Sequence, residues 1–261
     1  MSVLDQVKQG KDRLPPRLMI YGAEGTGKSS CVAQIPGCIF IDTEGGLSEI
    51  ECNRLPRVNT FAEALEQVKA LRDEKHNYSA VAIDTCDWLE RLVWADIARN
   101  YGVSSIEKSC GGYGKGYVEA ANYFQRLVEM LEALRNARGM VVVLIAHAKV
   151  EPFTDPEAGV YDRYSPRLHK HVNALLTEWV DAVLFATRKV SIQNALVGDG
   201  KIAKGIGTGG GERILRCEGS PACVAKNRYS LPPELPLSWD ALMAAIIGPE
   251  VQNPQPAEQP A

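Results

Sequence analysis

Arg17-Leu18-Met19-Ile20-Tyr21-Gly22-Ala23-Glu24-Gly25-Thr26-Gly27-Lys28-Ser29-Ser30 decides the fold, because an apolar run enters a glycine-rich turn and leaves it as residues that suit a helix. Pro36-Gly37 then ends that helix. Strand, loop and helix in this order are the context that a G-x-x-x-x-G-K-[ST] phosphate loop requires. Gly22, Gly25 and Gly27 permit turns that aim backbone N–H groups at phosphate oxygens. The nucleotide-binding set is therefore Gly22, Ala23, Glu24, Gly25, Thr26, Gly27, Lys28, Ser29 and Ser30. Lys28 is placed to reach the β and γ phosphates, and Ser29 to ligate magnesium. The expected ligands are a nucleoside triphosphate, ATP, and Mg2+.

Outward from the loop, strand and helix alternate. Cys38–Asp42, Ala80–Asp84, Met140–Ala146 and Ala182–Ala186 are apolar runs of strand length. Thr60-x-x-Glu63 is a capping box opening a helix with Leu65, Val68 and Leu71 on one face. A helical segment carries Trp88, Leu89, Leu92, Val93 and Ile97, and a longer helix covers about 117–137. Ser165-Pro166 reads as the N-cap and first residue of the next helix. Such alternation predicts an α/β fold, a mainly parallel β-sheet with helices on both faces, binding ligands at the carboxyl ends of its strands. Beyond residue 188 a Gly-rich basic stretch (190–211) precedes Arg213–Arg216 and Ala222–Ala225, which read as a C-terminal antiparallel hairpin around Gly219-Ser220-Pro221. A short helix starts at Ser238. The organisation is an N-terminal extension (1–16), one core domain (17–248) and a Pro-, Gln- and Glu-rich disordered tail (249–261).

Composition bounds the function. The chain has 261 residues, enough for one large α/β core. Its 29 basic and 32 acidic residues give a net charge of −3, so any nucleic-acid site has to be local. No run is apolar and long enough to span a membrane, and the first residues lack a secretory pattern; the expected compartment is the cytoplasm. Seven scattered cysteines without C-x-x-C spacing point to reduced, mostly buried thiols and no zinc site.

Three further residues fall at strand ends. Asp84 sits where a Walker B carboxylate holds magnesium through water, although an Asp there also caps a following helix. Thr85, not glutamate, follows it, so the water-activating base has to come from elsewhere. Glu44, in Ile41-Asp42-Thr43-Glu44-Gly45-Gly46, is the candidate, with a turn-solvating glutamate as the alternative. His147 ends the most apolar strand, where a polar side chain either senses the γ-phosphate or is only structural. Lys226 and Arg228 are either an ordinary solvated pair or cations supplied to a neighbouring subunit's nucleotide, which requires an oligomer.

Taken together these runs resemble the RecA-type recombinase core over about residues 15–235, and most of all compact phage-encoded RecA-like ATPases of the single-strand annealing type. Ile41–Gly46 and Ala225-Lys226-Asn227-Arg228-Tyr229-x-Leu231-Pro232-Pro233 carry the likeness. The resemblance implies a RecA-like P-loop NTPase core in which Glu44 is the hydrolytic base, Asp84 serves magnesium, His147 senses the γ-phosphate, and Lys226 and Arg228 act in trans. It also implies single-stranded DNA as partner, a ring or filament of identical chains, a cognate single-strand-binding protein, and a role in phage replication or repair. His147 departs from the glutamine of RecA itself, and separate DNA-binding domains are missing, which favours annealing over strand exchange.

DNA contact is expected from two segments. Lys108, Tyr113, Lys115 and Tyr117 lie in a basic, aromatic, acid-free stretch. Arg163, Tyr164, Arg167 and Lys170 lie beyond His147, where residues 160–172 hold three basic residues against one acidic, a balance of +2. Two other readings stay open: a nucleotide-switched regulatory or loading protein whose loops contact another protein, and a P-loop kinase, disfavoured by the lack of an arginine-rich lid.

Overall fold

In the computed structural model, strand β1 (Arg17–Gly22) lies between β5 (Val141–Asp155) and β7 (Ala182–Arg188), parallel to both. The structure describes residues 3–7, 9–10, 14–157, 159–189 and 211–248, with short strand pieces at 191–193, 196–197, 201–202 and 206–208. The expected tail, 249–261, and parts of the N-terminal extension and of the 190–211 stretch lie outside the described residues.

The sheet continues from β5 to β4 (Ala80–Asp84), β2 (Cys38–Asp42) and the short β3 (Asn53–Arg54), all parallel. On the far side of β7 come the antiparallel strands Arg213–Arg216 and Glu234–Pro236. The parallel strands read as unbroken apolar runs because both faces are covered. In β1, Leu18 and Ile20 face helices α1 (Lys28–Ala33) and α6 (Trp239–Ile247) with Val32, Trp239 and Leu242. Met19 and Tyr21 face the other layer, with Val68 of α2 (Phe61–Asp73), Leu89 of α3 (Cys86–Asn100), Phe124 of α4 (Lys115–Arg138) and Leu176 of α5 (Lys170–Trp179). Each fully buried side chain of this kind contributes about 1.5–3 kcal/mol of transfer free energy.

Register places the site. Gly22 pairs with His147 on one side and Ala186 on the other, while Asp42 pairs with Asp84. The carboxyl ends of β1, β2 and β4 thus come level with His147 of β5 in one row. A Cβ on Gly22 would stand 2.2 Å from the Ala186 carbonyl oxygen, so the strand leading into the loop tolerates only glycine there.

Four local expectations need correction. His147 does not end its strand: β5 runs on to Asp155 and pairs antiparallel with β6 (Gly159–Pro166), forming a ribbon that projects beyond the sheet. Ser165 and Pro166 close β6 instead of opening α5, whose N-cap is His169. Proline, lacking an N–H, is tolerated at such a strand end. Arg213–Arg216 pairs with Glu234–Pro236 and β7, not with 222–225, because the latter folds into a tight turn bridged Ser220 to Cys223 and tied to Tyr164 of β6. The capping box is split: Thr60 accepts the Glu63 N–H at 3.2 Å, but the Glu63 carboxylate takes the N–H of Asn59. Cys217 and Cys223 are free thiols, like the other five cysteines. No helix among the described residues is long and apolar enough to cross a membrane.

Candidate functional site

The loop after β1 folds around its own lysine. Gly25 and Gly27 take φ of +69° and +97°, values that favour glycine. Thr26 Oγ1 donates to the Ala23 carbonyl at 2.6 Å, closing the turn. Lys28, only 6% exposed, donates from Nζ to the carbonyls of Gly22 (3.0 Å) and Ala23 (2.9 Å). Burial lowers its pKa, opposed by Asp84, Asp87, Glu44 and Glu24. Four carboxylates around one ammonium form a cradle that lacks positive charge to spare.

Asp84, at the end of β4, is buried beside Ser29. Burial pushes its carboxyl up to about 6, with Glu44 and Asp42 adding and Ser29 and Lys28 opposing. A hydroxyl beside one carboxylate suits magnesium held mainly by phosphate oxygens and water. Among the described residues no cluster of three or more His, Cys, Asp or Glu could hold a metal by itself.

The Asp84 titration has a sign that can be checked. Its folded pKa lies above the ordinary 3.8, so this group's contribution to stability is present at low pH and lost as pH rises through about 6. A cation needs the ionised form and competes with that proton. The magnesium-dependent part of nucleotide affinity is therefore expected to weaken by about tenfold per pH unit below 6. Nucleotide titrations with and without magnesium from pH 5 to 8 check this; a pH-independent magnesium effect would contradict it.

Glu44 is aimed by the turn after β2. Asp42 accepts the N–H groups of Glu44 (3.1 Å) and Gly45 (2.6 Å). Thr43 and Thr85 lock the neighbouring strand ends together: the Thr43 hydroxyl donates to the Thr85 carbonyl and accepts its N–H, both at 2.8 Å. The Thr85 hydroxyl then lies 3.4 Å from Glu44 Oε2, and His147 Nε2 lies 3.9 Å from the same oxygen. Lys28 and Ser29 from the loop after β1, Glu44 from the turn after β2, Asp84 at the end of β4 and His147 within β5 come together. The peptide between Asp84 and Thr85 is cis.

Asp87 was not legible as a site residue, yet it organises this corner. Its carboxylate receives the His147 backbone N–H at 3.0 Å and His147 Nδ1 at 3.1 Å. Arg167 Nε and Nη2 reach its Oδ2 at 3.1 and 2.8 Å. Burial alone would push this carboxyl up, but His147 and Arg167 outweigh burial and hold it well below the usual range. Glu90, one turn on, is raised to about 7 by burial, against the opposing pull of the His169 N–H, which both its oxygens accept, and of Lys149. The available signal was that acids at 87 and 90 interrupt the apolar face of α3 formed by Cys86, Leu89, Val93 and Ile97.

The residues expected at DNA divide. Tyr113 is 98% exposed on a turn between Lys108 and Lys115, where Cys110 to Gly114 all have positive φ. Tyr117 belongs to α4 and stacks on His169 with ring centroids 4.2 Å apart, so one face is occupied. Arg163 lies 3.6 Å over the Phe153 ring, and Tyr164 stacks on Phe185. Arg167 belongs to the nucleotide corner through Asp87 and Glu24, not to a DNA loop. Lys170 is exposed at the first residue of α5. The ribbon, 148–166, carries two basic residues against four acidic, a balance of −2, so the electrostatic case for phosphate binding there falls away.

Lys226 and Arg228 sit at the opposite edge of the sheet, beside Ala182 and Val183 at the start of β7. Lys226 Nζ donates to the carbonyls of Thr177, Glu178 and Val180, closing the C-terminal end of α5. All three of its protons are spent inside its own chain. Arg228, half-exposed, makes one ion pair with Asp181 at 3.3 Å.

Residues 14–229 match a family model described as an AAA domain. No curated protein matches the chain.

Proposed function

The chain belongs to this AAA domain family of P-loop NTPases, and from that premise we propose that it is a magnesium-dependent ATPase whose nucleotide state controls a contact with single-stranded DNA. One observation carries the reading: Lys28, Ser29 with Asp84, Glu44 and His147 converge from neighbouring strands, with a carboxylate left over to act on water. Lys28 and the loop N–H groups bind the phosphates, and Ser29 and Asp84 hold magnesium. That ion, when bound, neutralises charge developing on the phosphoryl oxygens. Glu44 orients and deprotonates the attacking water, and Asp87 fixes the ring of His147 beside it.

DNA contact is assigned to Lys108, Tyr113 and Lys115, where an exposed ring between two cations can stack on a base while the cations meet the backbone. A path from the nucleotide supports control: Arg167 touches the loop, and His169, two residues on, stacks on Tyr117 at the start of α4. The likeness to annealing recombinases extends this to strand annealing in phage replication or repair, alongside a cognate single-strand-binding protein. ATP would lie between identical subunits, with Arg228 reaching the neighbour's phosphates; Lys226, committed to α5, is the weaker half of that pair.

A second reading has its own observation. Val150, Val160 and Tyr164 are exposed along the ribbon, and exposed apolar side chains of this kind suit a protein partner of a nucleotide-switched loader. Fluorescence anisotropy with a labelled single-stranded oligonucleotide, with and without ATP, separates the two. Expected is ATP-strengthened binding that falls with salt and is weakened about tenfold or more by Tyr113→Ala. Absence of ATP-sensitive binding at low salt would favour the loader.

A further inference from the structure

Arg167 is a cation placed against the phosphate loop through Glu24 and beside His147 through Asp87. Two of its donors, Nε and Nη2, are fixed on Oδ2 of the buried Asp87. Its backbone N–H donates to the His147 carbonyl at 2.8 Å, so the main chain is pinned as well. The remaining arm is held differently. Nη1 rests 3.3 Å from Oε1 of Glu24, a side chain 74% exposed, and an ion pair at such a surface is weak.

Glu24 belongs to the loop, and His147 and Glu44 mark where water must meet the terminal phosphoryl group. The loose arm of Arg167 therefore lies between the loop and the position that only a triphosphate fills. We propose that Arg167 contacts the γ-phosphoryl group within its own chain: on ATP binding, its Nη1–H leaves Glu24 for a γ-phosphoryl oxygen, while Asp87 keeps the guanidinium oriented. This deepens the nucleotide reading above and rests on it. Glu24 acts as a placeholder that neutralises Arg167 when no third phosphate is present, and Asp87 is a positioning residue for both Arg167 and His147.

A clamp that only held the loop would affect ATP and ADP alike, whereas a γ-phosphoryl contact affects ATP alone. Affinities of the full chain for fluorescent ATP and ADP analogues, with magnesium, make the test. Arg167→Gln is expected to leave ADP affinity within about twofold and to weaken ATP about tenfold or more, as for loss of a charge-assisted hydrogen bond. Glu24→Gln, at an exposed side chain that does not threaten folding, is expected to raise the ATP-to-ADP affinity ratio about two- to fivefold. An ATP-to-ADP ratio unaltered in both variants would overturn the assignment. If the unaltered protein bound neither ADP nor ATP at any concentration tested, the nucleotide reading itself would fall, and Arg167's role with it.

Discussion

Lys28→Ala is expected to reduce nucleotide turnover by about 10³-fold or more, with triphosphate binding weakened in parallel. The Lys28 ammonium is buried in the field of Asp84, Asp87, Glu44 and Glu24, so its removal leaves Asp84 and Glu44 facing an incoming polyanion, with Arg167 offsetting only Asp87 and Glu24. The carbonyls of Gly22 and Ala23 also lose their donor. Turnover assays, with thermal melting to show that the variant is folded, check the effect; turnover within about threefold would remove Lys28 from the site. The same variant probes the subunit arrangement. Arg228→Ala is expected to be impaired on the order of 10³-fold if Arg228 acts in trans. Mixing the two inactive variants then creates interfaces with an intact loop from one chain and an intact arginine from the other, about a quarter of the total by random pairing. Recovery on mixing supports shared sites, and its absence would confine the chemistry to single chains.

How much of this was legible in the sequence depends on how local the cause was. The phosphate loop was legible because glycine spacing, a flanking strand and a following helix are all encoded within 17–33. The parallel sheet was legible because strands buried on both faces are apolar throughout. The ribbon was not. Past His147, Lys149-Val150-Glu151-Pro152-Phe153 alternates polar and apolar residues and contains a proline, which reads as loop unless the partner strand is known. Ser165-Pro166 carried a real helix-start signal that was overridden when Tyr164 was bracketed by Ala222 and Val224 from far along the chain. Asp87, Arg167 and His147 form one cluster across separations of 60 and 80 residues, which no window of sequence displays. Lys226 looked like a solvated cation because its three carbonyl partners belong to the end of a helix about 50 residues earlier, as its separations of 46 to 49 show.

Glu44→Gln is the substitution that separates binding from chemistry. Glutamine keeps the length of the side chain and can still meet the Thr85 hydroxyl, so the turn set by Asp42 and Gly45 has no reason to move. What is lost is a basic oxygen. Removing a general base costs about 10²–10⁴-fold in rate, and that range is expected here for ATP hydrolysis. Triphosphate affinity is expected to hold within about threefold or to improve, because one negative charge has left a site crowded with carboxylates. The same loss lowers the pKa of Asp84, to whose elevation Glu44 contributes, so the magnesium requirement of the variant shifts toward lower pH than in the parent. Three readouts therefore move in different directions from one changed atom: turnover down, affinity level or up, the acid limb of magnesium binding displaced downward. A Glu44 that merely solvated its turn would leave turnover unchanged, while the two readouts that follow its charge would move all the same. Unchanged hydrolysis in a folded Glu44→Gln protein would transfer the base to another residue, and among the groups within reach of the same water His147, already held by Asp87, would be the next to replace.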